Sequence, residues 1–253
     1  MPDNNSLSPN LLHGIGIVIV SLGALMVAVL TSILALAARR TGMAASAQFV
    51  APLIAAALLG TWFGWAVLAV QEPVIVPEPT PSVKLAVQQP ALLLAMTAML
   101  LAGIMLLFAS KTMRAVNAAT PPEWPIAAET YRVAGVMFLW PFLAAGALPA
   151  RFALPAGIGD FLTGIAAPVV ALAVARNRPN ARVWAVAWNC FGILDLIVAP
   201  VAAVLSHTTN IARFPTVIVP LFLGPPLGIL THVYSLRNLA VTRRRVREEN
   251  AHA

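Results

Sequence analysis

Asp160 and Asp195 each interrupt a long apolar run. A carboxylate at bilayer depth is costly, and it is retained for ion pairs, proton relays or ligand contacts. Residues at i, i+3, i+4 and i+7 share one helix face. Around Asp160 that face carries Gly157, Gly164 and Ala167, with Thr163 beside it. Around Asp195 it carries Trp188, Gly192 and Ala199, with Asn189 close by. Small faces admit a neighbouring helix at short range, so both carboxylates are expected to face protein. Acids that share one environment titrate as a coupled set, which is the preparation needed for proton coupling. The same residues have a plainer reading: Asp160 caps a helix start loosened by Gly157 and Gly159, and Asp195 is interhelical hydrogen-bond glue.

His232, near the inner end of the last apolar run, and Trp140, directly before Pro141, are polar or aromatic groups of the same kind. The expected ligand or proton pathway is therefore Asp160, Asp195, Thr163, Asn189, Trp140 and His232. His13, Glu72 and His207, with Asp160 nearby, form a second, outer polar cluster of residue types that bind zinc, copper or haem iron. The sequence contains no HExxH or CxxCH and no histidine pair at i, i+4. No metal site is assigned, the cofactor is left unknown, and no catalytic residue is named. Cys190 is the single cysteine, which excludes an intramolecular disulfide and a CxxC centre.

Gly224, Gly228 and His232 recur every four residues, and Pro225 and Pro226 fall among them. Proline lacks the amide that would continue the helical ladder, so a kink is expected around Pro225, with Gly224 and Gly228 as packing positions. Gly157, Gly164 and Gly192 are assigned to packing on the same ground.

The elements that must hold these residues follow from composition. The chain has 253 residues, 60% apolar and 10% charged, with a mean hydropathy of +0.85. A soluble domain carries roughly a quarter charged residues; here lipid must cover much of the surface. In hydrocarbon every backbone polar group must be satisfied internally, which leaves helices or a closed barrel. The apolar runs are continuous and near the ~20 residues of a spanning helix, without the alternation of a barrel strand.

The expectation is an all-α bundle of seven transmembrane helices in one domain, with spans about 12–38, 49–70, 91–110, 131–148, 156–175, 183–205 and 215–236. Residues 71–90, with Pro73, Pro77, Pro79, Pro81 and Pro90, read as an extended outer loop, and 241–253 as a charged, mobile tail. The first run is too long for a signal-peptide core and ends at Arg39-Arg40, so it is read as a retained span. Under this scheme only Lys84, Arg151 and Arg213 of the sixteen Lys and Arg fall on one side, leaving thirteen on the other. The basic side is cytoplasmic, with the N-terminus outside. The Ala-rich composition and short loops point to a bacterial inner membrane.

The formal net charge of +7 is spread over span ends, which is not a nucleic-acid footprint. A retinal protein is excluded because both lysines, Lys84 and Lys111, lie outside the spans. Three function classes remain. The preferred one is a small-solute transporter, proton-coupled through the buried aspartates, with solute and protons as its ligands in the bilayer. The alternative is a receptor-like or accessory seven-helix protein that binds a ligand or partner without transport. A metal- or haem-binding membrane enzyme ranks last.

Overall fold

The computed structural model describes residues 8–71, 81–144, 146, 148–206 and 218–252. Helix α1 (Pro9–Ala38) opens on Ser8, whose hydroxyl accepts from the Leu11 amide at 3.3 Å. A short turn leads to α2 (Ala45–Gln71), which packs back on α1. Helix α3 (Pro81–Ala109) takes in the second half of the segment expected to be extended. Pro81 starts it without loss, because the first helical residue has no intrahelical partner for an amide. Glu72 lies outside the described residues.

At Ser110 the chain bends by 83° into α4 (Lys111–Ala119). The Ser110 hydroxyl accepts from the Met113 amide at 3.2 Å and caps the new helix. The first part of the stretch between the third and fourth expected spans is thus a short helix fixed to the last one. Asn117 donates to Tyr234 O at 2.9 Å, and Asn238 donates to Asn117 O and Thr120 O at 2.6 and 2.7 Å.

The next stretch corrects the expectation of a continuous helix over 131–148. It consists of α5 (Glu123–Ala128), a 3-10 segment (Glu129–Gly135) and a π segment (Phe138–Leu143). Within the last, Trp140 leaves helical geometry at φ −139°, ψ 122°, because the ring of Pro141 bars the residue before it from the α region. Ile126 packs with Val170, Ala171 and Leu239, whereas Phe138 and Phe142 pack with Phe152, Ala153 and Ala202. The broken stretch therefore runs antiparallel to α6 (Ala150–Ala175) along most of its length.

Asn177 and Asn180, both at positive φ, turn the chain into α7 (Ala181–Leu205). A π segment (Val219–Leu223) then precedes α8 (Pro225–His252). The break between them is at Gly224 (φ −82°, ψ −126°), one residue ahead of the expected kink at Pro225. Helix α8 also continues through most of the stretch expected to be a mobile tail. Two carbonyls at the break find side-chain partners, as bilayer depth requires: Leu221 O accepts from the Trp62 indole at 2.9 Å, and Leu223 O from the Tyr131 hydroxyl at 2.6 Å.

Among the described residues, α1, α2, α6, α7 and Val219–Thr242 are long and apolar enough to cross a membrane, and the bent pair α3–α4 would make six. Their outward positions are large and apolar; Phe49, Leu94 and Val169 are more than 60% exposed. The protein is an all-α, multi-spanning integral membrane protein. Several cations gather at one end of the bundle. Arg40 lies 4.7 Å over the Trp124 ring, Arg114 donates to Phe108 O at 2.7 Å, Arg237 to Asn117 at 3.2 Å, and Arg182 to Leu239 O at 2.5 Å.

Candidate functional site: a buried ion cluster

Arg132 lies in the 3-10 segment with 2% of its surface exposed. Glycines bring that segment onto α6: a Cβ at Gly164 would collide with the backbone of Arg132 and Val133, and one at Gly135 with Asp160. The small face predicted around Asp160 is thus occupied by the broken stretch. From this position the guanidinium reaches three helices. Its Nε donates to Asp160 Oδ1 at 2.7 Å, and Nη2 lies between the same oxygen, at 2.7 Å, and Asp195 Oδ2. Nη1 faces His232 Nε2 at 3.0 Å and Gly192 O at 3.4 Å. All three guanidinium nitrogens are thus engaged by these four partners.

The network fixes the histidine tautomer. His232 Nε2 accepts from Arg132, so its proton is on Nδ1, which donates to Asn189 Oδ1 at 3.0 Å. Asn189 in turn donates to Ala185 O at 2.7 Å and Ser235 Oγ at 3.1 Å. The Trp188 ring lies 4.8 Å from the imidazole at a tilt of 57°, and its indole donates to Thr163 O at 3.0 Å. Gly192 leaves room for the imidazole; a Cβ there would meet the ring.

Glu129, one 3-10 turn before Arg132, is fully buried, and neither of its oxygens has a hydrogen-bond partner. Oε2 stands 3.6 Å from His232 Nε2, a nitrogen already accepting from Arg132. Thr231 approaches from α8, but its hydroxyl proton goes to Leu227 O at 2.8 Å. The cluster therefore contains one guanidinium, two carboxylates bound to it, one neutral imidazole and a third carboxylate with no donor.

Residues 89–240 match a family described as Domain of unknown function (DUF8737). The chain belongs to that family. No curated protein matches the chain, and no solved structure does. The DUF8737 region holds the whole cluster, from Glu129 to Ser235, while α1 and α2 precede it.

Of the residues expected along a pathway, this DUF8737 region brings Asp160, Asp195, Asn189 and His232 into one network, with Thr163 joined through its carbonyl. Trp140 stands apart from it, 67% exposed. In the expected outer cluster His13 is exposed, and Glu72 and His207 lie outside the described residues. Among the described residues no group of three His, Cys, Asp or Glu could hold a metal ion. Gly228 meets Leu196 and the Tyr131 hydroxyl, and so packs α8 against α7 and the 3-10 segment.

By sequence alone, Glu129 and Arg132, three apart at the start of the expected fourth span, read as a pair at the membrane interface. The structure corrects both points. Arg132 binds the aspartates instead of Glu129, and it no longer counts among the thirteen basic residues of the loops. The signal was available: Arg132 lies within the expected fourth span, 28 and 63 residues before the two carboxylates it bridges. A lone cation among apolar residues calls for the same counter-charges that the aspartates need.

Proposed function

We propose that this protein is a small-solute permease of the bacterial inner membrane, coupled to protons through the Arg132 cluster. The observation that carries the reading is the burial of Arg132 between Asp160 of α6 and Asp195 of α7, with Glu129 left without a donor. Replacing such a buried ion pair by apolar residues is often neutral or stabilising, which supports a role beyond holding helices together. Three carboxylates against one guanidinium leave two negative charges to be offset in a low-dielectric bundle, and protons can supply them. Asp160 and Asp195 share the only arginine of the cluster. A proton arriving at either one frees part of the guanidinium and shifts the contact between α6 and α7, which are the two elements a transport cycle would move.

In this reading the membrane is crossed seven times. The stretch α5, 3-10 segment and π segment forms the fourth crossing, and the cation-rich end faces the cytoplasm. In a Cys190→Ser background, Gly42→Cys should react with a membrane-impermeant maleimide only from the cytoplasmic side, and Ala150→Cys only from outside. Reaction of both from one face rules out this topology.

The transport test uses proteoliposomes with a trapped pH indicator and a panel of amines, sugars, amino acids and organic acids. The wild type should give a proton flux dependent on at least one solute class. Asp195→Asn preserves size and much of the hydrogen bonding but cannot titrate, so it should elute as a folded protein while the coupled flux falls at least tenfold. Wild-type flux that no solute alters, or an Asp195→Asn protein with unchanged flux, defeats the reading.

A further inference from the structure

A cavity of about 600 Å³ lies among α1, α2, α3 and α8, within the range that takes a drug-sized molecule. Helix α2 packs on α1 and α3 on α8, so the cavity separates two helix pairs. Its aromatic and thioether walls come from Trp62, Trp65, Tyr234, Met99 and Met113. The indole N–H of Trp62 is committed to Leu221 O, which holds that ring in place.

The wall toward the ion cluster is formed by Pro125 and Thr231. Glu129 follows Pro125 by about one helical turn, and Thr231 stands against it. The fully buried carboxylate without a hydrogen bond therefore lies directly behind this wall. Charged and titratable groups face it from each side: Tyr131 and Arg132 of its own segment, Asp160 of α6, and His232 of α8. Asp195 of α7 stands on the far side of Arg132. The one cation among them spends its donors elsewhere, so Glu129 keeps an unmet demand for positive charge beside an apolar, aromatic space.

We propose that this cavity binds a lipophilic cation, an onium or protonated amine with aromatic or alkyl substituents, drawn by the aromatic walls and by Glu129. Aromatic faces attract cations most strongly where water is excluded, and Glu129 supplies the counter-charge. The proposal deepens the permease reading and rests on it for its coupling: a proton and the cation compete for one carboxylate, so binding of either releases the other.

The probe is radiolabelled tetraphenylphosphonium, with the full chain in nanodiscs and empty nanodiscs as background. The wild type should bind it saturably, and less tightly as the pH falls. Glu129→Gln should weaken binding at least tenfold without changing the affinity for triphenylphosphine oxide, an uncharged molecule of similar shape. Ala102→Trp, which fills the cavity from α3, should weaken both. No saturable binding by the wild type, or unchanged tetraphenylphosphonium affinity in Glu129→Gln, overturns the proposal. Equilibrium binding needs no transport. A protein that binds the phosphonium but carries no coupled flux loses the permease reading alone, and one with coupled flux but no phosphonium binding loses this inference alone.

Discussion

Arg132→Met should destabilise the protein by about 3–5 kcal/mol, the cost of removing one partner from a buried ion pair. Asp195 would remain buried and Asp160 half-buried, each without the guanidinium, and His232 Nε2 would lose its donor. Unfolding in mixed micelles, followed by tryptophan fluorescence against increasing detergent denaturant, reads the change. The triple variant Arg132→Met, Asp160→Asn, Asp195→Asn should recover most of the loss, since no uncompensated pair remains, yet stay inactive in coupled flux. An Arg132→Met protein as stable as the wild type would show that the guanidinium does not hold α6 and α7 together.

Gly164→Leu should be nearly as damaging, by a different route. The atoms its side chain would strike are the Val133 amide and the Arg132 carbonyl carbon. Backbone cannot rotate aside as a flexible side chain can. The 3-10 segment must therefore lift off α6, carrying Arg132 away from Asp160. Overpacking of this kind typically costs about 1–3 kcal/mol, and here the ion pair is strained as well. Gly60→Leu is the matched control, because a Cβ at Gly60 meets nothing within 4 Å; its effect should stay within about 0.5 kcal/mol. Equal stabilities for the two variants would refute the seam between the 3-10 segment and α6.

Asp160 and Asp195 were legible in the sequence because each is a lone carboxylate in an apolar run. Gly157, Gly164 and Gly192 were legible because helical spacing places them on the same faces. What those faces receive was not. Gly164 seats the backbone of Arg132 and Val133, and Gly192 seats His232, neither of which a helical periodicity can specify. The depth of Glu129 and Arg132 is masked in the sequence by the polar, proline-rich stretch before them, which reads as an interface. Pro121, Pro122 and Pro141 fall at breaks in the chain and divide it into short pieces, and short pieces enter the bundle without a long apolar run. Helix α4 escaped for a related reason: nine residues with two cations read as linker, although Ser110 before Lys111 is an N-cap signal. At the last span the residues of the break were named correctly from Pro225 and Pro226, but the change of geometry falls on Gly224, the residue proline restricts.

The broken fourth stretch has a consequence for how the protein is made. A spanning segment normally leaves the translocon because lipid solvates it, and an arginine or aspartate at its centre opposes that partition by roughly 2.5–3.5 kcal/mol each. The stretch from Glu123 to Leu143 carries Glu129 and Arg132 and interrupts its own backbone ladder at Trp140. Its counter-charges are synthesised later, at Asp160 on α6 and Asp195 on α7. Lipid alone is a poor solvent for it, whereas the finished bundle is a good one. In the seven-crossing reading proposed above, membrane integration of this segment is tied to the arrival of α6 and α7, and the ion cluster then acts first as the step that commits the nascent chain to the bilayer.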